Sequence, residues 1–105
     1  MTTLFPTHTE LMRAVYSGNT ALVERIIRRA CPFIDETNDK GQTALMLAAI
    51  YGQEDICRLL LQSGASIHIQ DYQGNSAYKY ARLNMRYSIL RIFDKHLEFD
   101  LDTVL

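Results

Sequence analysis

The alternation of apolar and polar positions predicts short amphipathic helices that come in pairs. From Ala44 to Tyr51 the chain is rich in Ala and Leu, strong helix formers, which predicts a first helix there. Gly52 follows, suited to a left-handed turn where a side chain is costly. Glu54 and Asp55 open a second helix, where acids favour the positive end of the dipole. Ile56, Leu59 and Leu60 recur at i, i+3 and i+4, one apolar stripe, and Gly64 ends that helix. Ala65 to Gly74 is polar and turn-like. Upstream, Thr7-His8-Thr9-Glu10 fits a capping box and predicts a helix start just before Leu11. Leu22, Val23, Ile26 and Ile27 form the apolar face of a helix over about Thr20 to Ala30. Downstream, helices are predicted near Ala77–Asn84 and Tyr87–His96. Beyond them Leu97, Phe99 and Leu101 alternate with acids, which predicts a packed extended tail that neutralises the basic residues before it.

These pairs are copies of one unit. A step back of about 34 positions places Thr9, Leu11, Ala14 and Gly18 under Thr43, Leu45, Ala48 and Gly52. It also places Ile26-Ile27 under Leu60-Leu61. A step forward of about 33 places Gly74, Ser76, Ala77 and Ala81 under Gly41, Thr43, Ala44 and Ala48. The chain reads as three repeats, over residues 7–37, 38–70 and 71–96, with an acidic tail at 97–105.

Composition narrows the function. At 105 residues the chain is a single domain, too short for a two-domain enzyme. A 48% hydrophobic content with a net charge of −1 excludes a disordered chain and a broadly basic nucleic-acid binder. Five Gly and two Pro are few for a turn-rich all-β chain. No apolar run is long enough to span a bilayer. The start, Met1 to Pro6, lacks a basic region and an apolar core, so no signal peptide is expected and the expected location is cytoplasmic or nuclear. Cys31 and Cys57 lie too far apart for a zinc pair and read as reduced, packed thiols.

The central copy resembles an ankyrin repeat. Gly41-x-Thr43-Ala44-Leu45-Met46-Leu47-Ala48-Ala49-x-x-Gly52 is similar to that family's G-x-T-P-L-H-L-A-A-x-x-G, and Leu59-Leu60-Leu61-x-x-Gly64-Ala65 to its L-L-L-x-x-G-A. The resemblance implies an all-α fold, a solenoid of stacked helix-turn-helix units with hairpin-like turns. Ala44 and Met46 stand where the family has Pro and His, so the ties these make between neighbouring turns are expected to be missing. Met85 replaces the inter-helix glycine of the third copy, which predicts a strained or reshaped turn and a terminal cap.

A two-helix unit cannot bury its apolar face alone, so Leu45, Leu47, Ala48, Ala49, Leu59 and Leu60 are scaffold. What the resemblance implies is non-catalytic binding of a protein partner through the concave face, by an adaptor, scaffold or inhibitor-like module that is monomeric or weakly dimeric. The corresponding candidates are Asn38, Asp39, Lys40, Gln42, Ile50 and Tyr51 in the second repeat. In the third they are Asp71, Tyr72, Gln73, Asn75, Leu83 and Asn84, and in the first Tyr16 and Ser17. Tyr16, Tyr51 and Tyr72 stand out, because Tyr offers large contact area at low entropy cost.

Catalytic signals are poor. His8, His68 and His96 have no metal-ligand spacing, no nucleophile elbow or phosphate loop occurs, and no cofactor is expected. His68 reads as a turn residue. Two other readings stay open. Lys79, Arg82, Arg86, Arg91 and Lys95 give the third repeat a basic bias that fits an acidic partner or nucleic acid, the latter disfavoured by the overall charge. Asp102-Thr103-Val104-Leu105 resembles a C-terminal PDZ ligand, which adds a strand to a sheet edge.

Overall fold

In a computed structural model, the structure describes residues 6–30 and 33–104, without the side chains of 6–9, 30 and 99–104. Six helices follow one another: α1 (Pro6–Ser17), α2 (Thr20–Ala30), α3 (Ala44–Tyr51), α4 (Glu54–Gln62), α5 (Ala77–Leu83) and α6 (Tyr87–Val104). Each odd helix packs on the even helix after it. Across repeats, α1, α3 and α5 pack side by side as one layer, and α2, α4 and α6 as the other. The result is an all-α stack of extents 46 × 27 × 23 Å with one continuous core. Among the described residues no β-strand occurs, only an isolated antiparallel bridge between Gln70 and Ser76.

Local chemistry sets the helix limits. Thr43 and Ser76, equivalent in the two copies, each accept the N–H three residues on, from Met46 and Lys79, and cap α3 and α5. Gly52 ends α3 at φ 73°, and its N–H and that of Gln53 reach back to the Ala49 and Ala48 carbonyls. Ala44 to Ala49 are all buried, so α3 is apolar all round and occupies the centre of the stack. Helix α4 buries only Ile56, Cys57, Leu60 and Leu61 and leaves its charged side to solvent.

The hairpin-like turns repeat atom for atom. Asn38 Oδ1 accepts the N–H groups of Lys40 and Gln42, and Asp71 Oδ1 accepts those of Gln73 and Asn75. Neighbouring turns are joined in another way: the Tyr72 N–H donates to the Lys40 carbonyl at 3.2 Å, a backbone bond that needs neither Pro nor His. In the loops that follow, the Ser66 N–H donates to Asp35 Oδ1, and the His68 N–H to Ser66 Oγ, which ties the first repeat to the second.

Two sequence expectations change in detail, and the alternative at Met85 is decided. Helix α1 begins at Pro6, earlier than the capping box implied; Pro suits a first helical position because its missing N–H has no partner to lose there. Met85 does hold the left-handed position, at φ 56°, at a cost of about 1–2 kcal/mol, so the turn is strained and not reshaped. The tail is not extended: α6 runs without a break to Val104. The buried Ile89 and Phe93 and the half-buried Leu97, spaced four apart, continue a helical stripe that overrides the shorter alternation.

Cys57 is buried and unpaired, whereas Cys31 lies outside the described residues. Burial, helped by the charge of Glu54 and opposed by Arg58, pushes the Cys57 thiol up to about 12. A rise from 9.0 to about 12 lowers the thiolate fraction roughly a thousandfold. In a Cys31→Ser variant, Cys57 is therefore expected to react with an aromatic disulfide reagent only as fast as the protein unfolds. A burst of labelling in the native state would contradict the packing.

Candidate functional site

Two of the exposed aromatic residues, Tyr16 and Tyr51, lie on the layer of first helices. Tyr16 in the last turn of α1 and Tyr51 at the end of α3 meet with ring centroids 5.5 Å apart, at a tilt of 59°. They remain 53% and 49% exposed, so the pair presents a two-ring apolar surface across two repeats. Ile50 is half-buried beside Tyr51, and its carbonyl accepts two bonds from the Arg86 guanidinium, at 2.9 and 3.3 Å. The row continues at the end of α5 with exposed Leu83 and the capping Asn84. The Asn84 side-chain amide is bonded to the Tyr80 carbonyl at 2.8 Å, which leaves Leu83 as the open apolar position there. Ser17 is exposed but donates its hydroxyl to the Ala14 carbonyl, closing the end of α1.

The turn candidates divide in two. Asp39 and Lys40 lie exposed at the tip of the second repeat's turn, and Tyr72 and Gln73 at the tip of the third's. Tyr72 is 78% exposed, and its ring edge lies over Gly41, where a Cβ would come within 2.8 Å of it. Gly41 is thus the platform that sets the direction of Tyr72. The other candidates face inward. Gln42 accepts the Asn38 side-chain amide at 3.0 Å, and Asn75 reaches the Tyr80 hydroxyl at 3.5 Å. Asp71 is buried. Burial pushes its carboxyl up, but the hydrogen bonds from the Tyr80 hydroxyl and the Asn75 and Gln73 N–H groups, with Lys79 nearby, hold it below its ordinary value. These residues fasten the turns that carry Asp39, Lys40, Tyr72 and Gln73.

The basic bias of the third repeat is split by the fold. Lys79 and Arg82 lie on α5, and Arg86 is folded against α3. Arg91 and Lys95 instead meet Arg58 across the groove between α4 and α6. This grouping crosses two repeats, so no stretch of sequence displays it. The Asp102–Leu105 pattern closes the chain at the end of α6; its backbone is helical up to Val104, and its side chains and Leu105 lie outside the described residues. Among the described residues no three His, Cys, Asp or Glu side chains converge as a metal site, and no helix is long and apolar enough to cross a membrane.

Comparison with known proteins agrees with this architecture. A family model of ankyrin repeats, in three copies, matches residues 11–103. The chain is 36% identical over 90 residues to dauer abnormal formation protein 25 of Caenorhabditis elegans, covering 86% of the chain and 23% of that protein. It is 38% identical over 99 residues to potassium channel AKT2/3 of Arabidopsis thaliana, covering 87% of the chain and 12% of that protein. The chain thus spans less than a quarter of the length of these relatives. Among solved structures it superposes on a chain of the complex between a predatory endopeptidase of Bdellovibrio bacteriovorus and an immunity protein. The TM-score is 0.77, the identity 25%, and the match covers 83% of this chain and 45% of that one. With its helix pairs, their shared caps and turns, and a match that runs through all three copies, this chain belongs to the ankyrin repeat family.

Proposed function

We propose that the chain is a non-catalytic recognition module that binds a partner protein on its concave face. The paired, half-exposed rings of Tyr16 and Tyr51 carry this reading, because a rigid aromatic anchor spanning two repeats is what a protein hot spot needs. Leu83 extends the apolar row, and Asp39, Lys40, Tyr72 and Gln73 supply the polar rim at the turn tips. The scaffold lowers the ordering cost of binding, since the turns are already closed by Asn38 and Asp71. Such a module serves as an adaptor, scaffold or inhibitor, and a cytoplasmic or nuclear setting fits its reduced, buried Cys57. That a similar fold is found in an endopeptidase complex with an immunity protein supports a role in protein recognition.

The experiment is affinity capture from the source cell, followed by titration of each captured partner. Tyr16→Ala with Tyr51→Ala is expected to weaken binding by about tenfold or more. Both rings are half exposed, so the melting temperature should fall by several degrees at most, with the transition still cooperative. Unchanged affinity for every partner, with an unchanged melt, would remove the tyrosine surface from the site.

A further inference from the structure

The outer helix layer carries a second surface that the tyrosine reading does not use. A depression of about 460 Å³ lies between α4 and α6. Through Leu61 and His96 it joins a neighbour of about 350 Å³. Through Ile67, His68 and Leu97 that neighbour joins a third of about 250 Å³, which ends at Tyr78. The three lie side by side along this face and share lining residues, as a succession of subsites for a peptide segment would.

Its walls are chemically asymmetric. Arg58 enters from α4, and Arg91 and Lys95, one helical turn apart, enter from α6. Among the described residues Glu54 is the one carboxylate that lines this depression. Leu61 and Ile92 supply apolar wall between the cations. Arg58 has an exposed carboxylate partner in Asp55, at 3.2 Å. Among the described residues neither Arg91 nor Lys95 has a carboxylate within ion-pairing distance.

We propose that this groove binds an acidic peptide segment of a partner protein, with carboxylates on Arg91, Lys95 and Arg58 and an apolar side chain against Leu61 and Ile92. The apolar wall favours such a peptide over nucleic acid, whose affinity comes from many phosphate contacts rather than a few cations around an apolar wall. The proposal is independent of the tyrosine surface, which belongs to the other helix layer.

The test is fluorescence anisotropy with a fluorescein-labelled synthetic peptide of glutamate, alanine and leucine, titrated with the whole chain. Binding is expected. Arg91→Glu with Lys95→Glu should weaken it by about tenfold or more. The milder Arg91→Gln with Lys95→Gln pair should act in the same direction, and it serves as the readout should the charge reversal disturb the melt. Arg25→Glu with Arg28→Glu, on α2, changes net charge equally and should leave binding intact. Tyr16→Ala with Tyr51→Ala should leave it intact as well. Equal loss in the α2 variant, or no loss in the α6 variants, overturns the proposal. So does a single-stranded oligonucleotide that binds as tightly as the peptide and depends on Arg91 and Lys95, because the groove would then be a polyanion site.

Discussion

Leu60→Asp is expected to abolish cooperative unfolding. Leu60 is fully buried in α4, and its equivalents Ile26 and Phe93 pack on the same core. Removing the leucine forfeits about 1.5–3 kcal/mol of burial. The carboxylate left in its place must either stay charged in an apolar site or take up a proton, and each choice costs further. Small domains hold only about 0.05–0.15 kcal/mol per residue, so the combined loss is of the order of the whole stability. The position also matters. Helices α3 and α4 contact both neighbouring repeats, so loss of the central unit takes away the interface on which each flanking repeat relies. Far-ultraviolet circular dichroism during heating should show a shallow, non-cooperative decay. Gln62→Asp, an exposed change on the same helix, should cost no more than about 1 kcal/mol. A sharp transition retained in Leu60→Asp would contradict the assignment of α4 to the core.

The central repeat was legible in the sequence because its landmarks are single-residue requirements. A left-handed turn calls for Gly52, a helix for the Ala- and Leu-rich run from Ala44, and an apolar stripe for Ile56 and Leu60, and each takes the expected place. The tail was misread because Leu97, Phe99 and Leu101 are a short period-two pattern, whereas the longer helical stripe from Ile89 through Phe93 sets the backbone. On the surface the difficulty was different. Asn38, Gln42, Asp71 and Asn75 stand at variable positions of the repeat, but short polar side chains bond readily to backbone groups a few residues away. From sequence such a residue looks like a free contact point; in the fold it is part of the turn. The contact of Tyr16 with Tyr51 was equally hidden. Aligning the copies sets Tyr16 against Ile50, and only the lateral packing of α1 on α3 brings the rings together. Arg86 counted as one more cation of a basic stretch until the fold turned it toward α3.

Gly52→Ala and Arg86→Ala are each expected to destabilise the chain, and together to cost less than the sum of the two. Gly52 ends α3 in the left-handed region, where a β-carbon costs about 1–2 kcal/mol. An added Cβ would also lie 2.9 Å from the Arg86 guanidinium carbon. The guanidinium therefore has to withdraw, and with it go the bonds that Nε and Nη2 donate to the Ile50 carbonyl, 36 residues away in sequence. A charged donor on a carbonyl left open at a helix end contributes about 1.5–3 kcal/mol when well formed, toward the lower figure for this half-buried pair. Arg86→Ala loses these bonds directly and leaves the notch over Gly52 empty. In the double variant the alanine at 52 meets no guanidinium, and its cost falls back to the backbone strain alone. A denaturant double-mutant cycle should thus give a coupling of about 0.5–2 kcal/mol. Strict additivity would mean that Arg86 does not seat on Gly52, and that the strained Met85 turn holds the third repeat against the second without that clamp.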